Sequence, residues 1–214
     1  MAPPDLGTVC FIAKVGRLKT LKRAGWADRE IPPEFVESVA DHSFRVALMA
    51  MILAADVDGL DRDRVIKLAL IHDLAESIIG DQTPYDQAIL EGLSGEERHA
   101  FLNARRNDDI ARRAAKHDAE AVAFDEMISD LPHAIRAEMS ELWCELQDRS
   151  TPESQFVKEV DILETYLQSR EYLVDYPDLP ADSFAEEVDR DVGTLRLVEI
   201  RDAIALYVVP DLPD

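Results

Sequence analysis

Cysteine is nearly absent. Only Cys10 and Cys144 occur in 214 residues, and no CxxC or CxxxC spacing is present. This argues against a disulfide scaffold or a cysteine-based zinc site and fits a reducing compartment. Long apolar runs are missing too. The longest, Val46 to Ala55, is about half of the ~20 residues a bilayer span requires. The opening "MAPPDLGTVCFIAKVG" lacks the basic start and apolar core of a signal peptide. A soluble, cytoplasmic protein without a membrane partner is expected.

Basic residues are scarce, 23 against 44 acidic ones, for a net charge of −21. Such a body repels polyanions, so duplex nucleic acid is not an expected partner. The scarcity is uneven. From Lys14 to Arg23 the chain holds Lys14, Arg17, Lys19, Lys22 and Arg23 with no acidic residue among them. That patch suits a small anion. Read from charge alone, it is better explained as a solvated helix face.

Sustained period-two alternation, internal repeats and low-complexity tracts are also lacking. "IALYVVP" near the C-terminus is the one strand-like run, and it can equally end a helix. What remains is helical periodicity. Phe11, Ile12, Val15, Leu18 and Leu21 repeat at i, i+3, i+4 spacing, with Thr8 as the expected N-cap. Ser38 and Asp41 form a variant capping box before "VADHSFRVALMAMILAAD". Asp61 to Ile79 reads as one helix stopped by Gly80 and Pro84. A long polar helix is expected from Ser94 towards Leu131, with further helices opening at Pro132, at Thr151-Pro152 and after Asp182. The expected fold is a single all-α domain of six to eight helices over residues 1–214.

The chemistry concentrates in "LIHDLAESIIGDQTP", residues 70–84. His72, Asp73 and Glu76 share one face of an otherwise apolar segment. Burying two carboxylates there without partners costs several kcal/mol, on the order of 2–7 for even a neutral polar group. A cation removes that cost, and imidazole plus carboxylate suits divalent metals. His42 lies on the inward face of the preceding helix, beside Val46, Met49 and Ala50. Asp161 sits among Phe156, Val157, Val160 and Leu163. Alone, His42 reads better as a hydrogen-bonded core histidine, and Asp161 as a salt-bridge partner of Lys158.

Together the four change weight. A histidine, an adjacent His-Asp pair thirty residues on and a distant helical aspartate reproduce the ligand order of the HD-domain metal-dependent phosphohydrolases. "RLKTLKRAGW", "ESVADHSFRVALMAM", "LALIHDLAESIIGDQTP" and "FVKEVDILETYLQSREY" resemble the 5′-deoxynucleotidase (YfbR-like) branch of that superfamily. The likeness spans about residues 9–175, leaving 176–214 as a C-terminal helical extension. It implies an HD-domain helical bundle and one divalent cation (Mn, Co, Mg, Fe or Zn) on His42, His72, Asp73 and Asp161. It also implies Glu76 as general acid/base, Asp81 as the residue orienting water or leaving group, and Arg23 as the phosphate anchor. Trp26 corresponds to a tryptophan that lines the sugar pocket, although Ala24-Gly25 separates it here from Arg23. The implied activity is hydrolysis of deoxyribonucleoside 5′-monophosphates by a metal-activated water, in a homodimer. His99, His117 and His133 match no motif for a second metal. Another nucleotide or phosphomonoester substrate, or a non-catalytic metal-binding module, are the competing readings.

Overall fold

A computed structural model describes residues 5–104 and 110–207. Among them are twelve α-helical segments: α1 (Leu6–Val15), α2 (Ala24–Ala27), α3 (Val39–Leu53), α4 (Arg62–Ile71), α5 (Glu76–Ile79), α6 (Gln87–Gly92), α7 (Gly95–Asn103), α8 (Ile110–Ile128), α9 (His133–Asp148), α10 (Pro152–Asp175), α11 (Asp182–Asp191) and α12 (Leu195–Leu206). No strand occurs among the described residues beyond an isolated bridge between Lys22 and Ser38. The all-α expectation holds, and the helix count exceeds the expected six to eight because several apolar segments break locally.

The break that matters most divides the segment expected to run unbroken from Asp61 to Ile79. It separates into α4 and α5 around His72–Ala75. Elsewhere, α1 begins two residues before the expected cap, because the Asp5 carboxylate accepts the Thr8 N–H at 3.0 Å. The polar helix expected from Ser94 to Leu131 ends at Asn103, and α8 follows as a separate element. Pro132 stands just before α9 rather than inside it, and "IALYVVP" continues α12 as far as Leu206. The capping boxes at Ser38 and Thr151 are both formed, the second ahead of Pro152 in the first turn of α10.

α10 is the axis of the molecule. Its 24 residues carry Phe156, Val157, Val160, Leu163 and Tyr172 inward, and α3, α4, α11 and α12 pack against it. Spacings of three and four keep these side chains on one stripe, and that stripe is wide enough to bury against several neighbours. The expected extension after residue 175 is part of the same core, through Phe184, Val188, Val192, Leu197 and Ile204. A smaller cluster of Tyr85, Leu90 and Leu102, with Phe101 against it, covers the turn that follows α5. No described helix is long and apolar enough to cross a membrane.

Candidate functional site

His42 leaves α3 with its imidazole fully buried. Asp161 leaves α10 opposite it, and His72 and Asp73 stand in the break between α4 and α5. That break is a tightened turn: the N–H groups of Leu74, Glu76 and Ser77 each donate to the carbonyl three residues back, at 3.0–3.1 Å. A three-residue repeat stacks side chains i and i+3 above one another, so Asp73 and Glu76 project on the same side. An unbroken α-helix would also leave residues three apart as neighbours, and the tightened turn aligns them more closely.

Four side-chain ends then converge. His42 Nε2 lies 3.3 Å from His72 Nε2, 3.1 Å from Asp161 Oδ1 and 3.5 Å from Asp73 Oδ2. His72 Nε2 is 3.2 Å from the same Asp73 oxygen. The far nitrogens of both rings are already engaged, His42 Nδ1 with Glu164 Oε2 at 2.5 Å and His72 Nδ1 with the Ala69 carbonyl at 2.7 Å. Each acceptor draws the ring proton to Nδ1, leaving two Nε2 lone pairs facing each other. Lone pairs repel, so this arrangement calls for positive charge at the centre.

The acidities agree. Burial and Arg23 oppose a charge on His42, but the hydrogen bonds its ring donates to Asp161 and Glu164 outweigh them and raise its pKa to about 10. Burial would likewise lift the Asp161 carboxyl, yet Lys158 and the two histidines hold it well below the ordinary range. Asp73 is lowered in the same way, with His72 and His42 outweighing its burial. The surrounding carboxylates therefore demand a positive charge, as a proton on the imidazole or a cation among the four ends. Two imidazoles and two carboxylates are a donor set that a divalent metal accepts. His42, His72 and Asp161 offer atoms within 4.8 Å of one another, as ligation by one ion requires.

Glu76 is different in kind. It is 5% exposed, and its Oε2 is buried with no hydrogen-bond partner. Burial first, then the Asp73 and Asp81 carboxylates, push its pKa well above the usual value. A carboxyl that holds its proton more tightly than usual, with one oxygen unpartnered beside a metal-type cluster, is suited to act as an acid. Arg23 faces the same centre on long contacts, 3.4 Å to Asp73 Oδ2 and 3.5 Å to Thr165 Oγ1. Asp81 accepts the Ala24 N–H at 2.7 Å and lies 4.0 Å from Arg23 Nε, so it anchors the loop that presents the guanidinium.

Trp26 is the exception among the expected site residues. Its ring is 1% exposed, packed on Tyr172 at 5.1 Å and Phe184 at 4.8 Å, with Nε1 donating to Glu37 Oε1 at 2.7 Å. The indole is a core group whose single polar atom is satisfied by Glu37, and it offers no open face. Lys158 does make the ion pair expected of it, at 2.7 Å to Asp161 Oδ2, while the other oxygen of Asp161 faces His42. The salt bridge and the ligand position are thus compatible. His99 instead faces the Asp178 carbonyl, and His117 stands beside Asp118 on the surface.

Two contributors were not read from the sequence. Glu164 is completely buried against His42, and Arg45 bonds its second oxygen at 2.6 Å. A signal was available: Glu164 follows Asp161 by three positions inside an apolar stripe, where an unpaired acid is costly.

The HD-domain family model matches residues 15–195, which include all four converging side chains. The chain belongs to the HD-domain family. This HD-domain chain is 38% identical over 166 residues to 5′-deoxynucleotidase HDDC2 of Mus musculus, covering 78% of its own length and 70% of that protein. It is 34% identical over 173 residues to 5′-deoxynucleotidase hdd1 of Schizosaccharomyces pombe, covering 80% and 75%. Among solved structures it superposes on a conserved hypothetical protein from Pyrococcus furiosus with a TM-score of 0.68 and 26% identity, over 93% of this chain and 99% of that one.

Proposed function

We propose that this HD-domain protein is a metal-dependent 5′-deoxynucleotidase, converting deoxyribonucleoside 5′-monophosphates to deoxynucleosides and phosphate. The observation that carries the reading is the buried, unpartnered Glu76 carboxyl beside the His42–His72–Asp73–Asp161 cluster. A purely structural ion needs ligands, and gains nothing from a raised acid at its edge. Similarity to two proteins named as 5′-deoxynucleotidases supports the choice of substrate.

His42, His72, Asp73 and Asp161 hold the cation, which when bound supplies Lewis acidity towards the phosphoryl group and makes water at the site more acidic. Arg23 neutralises the phosphate dianion, a task for which its long, weak contacts leave the guanidinium free. As the water oxygen bonds to phosphorus and the P–O5′ bond breaks, Glu76 delivers its proton to the departing 5′ oxygen and takes one back from the attacking water, so the carboxyl is restored and inorganic phosphate leaves. No covalent enzyme intermediate is required. Asp81 keeps Arg23 on station through Ala24. Trp26 contributes from behind, holding Glu37, whose carboxylate approaches His42.

The chain acts as one HD unit, a reading supported by a core that runs from Leu18 to Ile204. We assign it to the cytoplasm, without duplex nucleic acid or membrane as partner. A homodimer is supported by the exposed apolar edge of α3, with Phe44 70% and Ile52 56% exposed. The deciding experiment is phosphate release from dAMP, AMP and dATP by metal-stripped protein, with Mn, Co, Mg and Zn restored singly. Turnover of dAMP well above AMP and dATP is expected. Equal turnover of dAMP and AMP would remove the sugar preference, and preference for dATP would move the substrate class.

A further inference from the structure

α10 points two acids at His42, and only Asp161 belongs to the ligand set above. Glu164 lies one helical turn further along, so both face α3. His42 and Glu164 are each 0% exposed. The two carboxylates compete for one imidazole proton, since Glu164 Oε2 is 2.5 Å from Nδ1 and Asp161 Oδ1 is 3.1 Å from Nε2. If Asp161 won, Nε2 would carry the proton. Histidine and aspartate would then be tied to each other and lost as ligands.

Glu164 holds the shorter contact, and it is itself held. Arg45 donates Nε to Glu164 Oε1 at 2.6 Å, Nη1 to Glu171 at 2.7 Å and Nη2 to Gln168 at 2.6 Å. Three donors in a planar fork, all received by α10, fix the guanidinium that holds Glu164 Oε1. Glu37 also approaches His42, but its Oε1 is occupied by Trp26 Nε1 at 2.7 Å.

We propose that Glu164, locked by Arg45, is a positioning residue that keeps the His42 proton on Nδ1 and aims the Nε2 lone pair at the metal position. The inference rests on the metal-site reading above. It makes α10 the common reference for two ligands, Asp161 directly and His42 through Glu164. An ion pair serving only to join α3 to α10 would not care which ring nitrogen bears the proton.

The test is calorimetric titration of the full chain with Mn²⁺, comparing wild type with Glu164→Gln. Glutamine keeps the shape, but its amide can donate to Nδ1 and so favour the wrong tautomer. Manganese affinity is expected to fall about 10- to 100-fold. Side-chain ¹⁵N shifts of His42 in the zinc-loaded proteins should report a loss of the Nδ1–H form. Far-UV circular dichroism in chelator verifies the fold. Should Glu164→Gln not fold, Arg45→Gln leaves Glu164 in place but unlocked, and several-fold weaker binding is expected. Unchanged affinity and an unchanged His42 tautomer in a folded variant would overturn the relay alone. A wild-type chain that takes up no Mn²⁺ would overturn the metal reading and the relay with it.

Discussion

The Asp81 carboxylate accepts the backbone N–H of Ala24 at 2.7 Å, across 57 residues of sequence. The turn that allows it is set by Gly80, whose φ of 82° and ψ of 161° lie where a Cβ is strongly disfavoured. On the proposed function, Asp81 acts on phosphate binding through Arg23, whose loop it anchors. Asp81→Ala forfeits a charge-assisted hydrogen bond of about 1.5–3 kcal/mol. The expected result is a rise of roughly tenfold or more in KM for dAMP with a smaller change in kcat. A collapse of kcat at unchanged KM would instead place Asp81 at the reacting atoms.

Glu76→Gln keeps the volume and removes the proton that the reaction needs. Turnover of dAMP should fall by about 10²–10⁴-fold while manganese affinity changes little. The same variant should not lose stability. Because burial and neighbouring acids raise this carboxyl in the folded chain, folding takes up a proton there. Its contribution to stability is then most favourable at acid pH and is lost as pH rises from the unfolded value of about 4.3 through the raised folded one. Thermal melts across that window should show the decline in wild type and a shallower one in Glu76→Gln.

Removal of the cation should abolish turnover and lower thermal stability together. Ligand binding to the folded state alone stabilises by about 2.7 kcal/mol at a hundredfold excess over Kd, or roughly 5–10 °C for a domain of this size. Melting with chelator and with graded Mn²⁺ measures it. A melting temperature indifferent to metal would mean that the four ends hold no ion.

Trp26→Phe should act on stability before specificity. The ring is enclosed by Tyr172 and Phe184, so the lost volume and the lost bond to Glu37 are expected to cost about 1–3 kcal/mol. The dAMP-to-AMP ratio should change little, because the enclosed indole offers no open face to a substrate. A larger shift in Trp26→Phe would show that the indole reaches the sugar after all.

Much of this was legible along the chain. Helical periodicity, the Ser38–Asp41 capping box and the absence of period-two alternation dictate an all-α fold, because those signals are local. His72 and Asp73 could be picked out because ionisable groups on apolar stripes are costly unless something compensates them, whereas His42 and Asp161 gained weight only from the ligand order they share with the HD-domain family. Glu76 stood out for the same reason as His72 and Asp73.

The rest is non-local. Sequence spacing suggested one helix from Asp61 to Ile79, since its apolar pattern has no internal stop. Only the structure shows the tightened turn at His72–Ala75, where the N–H groups of Leu74, Glu76 and Ser77 bond three residues back. Trp26 looked like a pocket residue beside Arg23, yet its burial depends on Tyr172 and Phe184, some 150 residues away. Glu164 and Arg45 had no local signature of their joint role. Which nitrogen of His42 faces the centre depends on a proton shared between α3 and α10, and that contact exists only once the two helices have met.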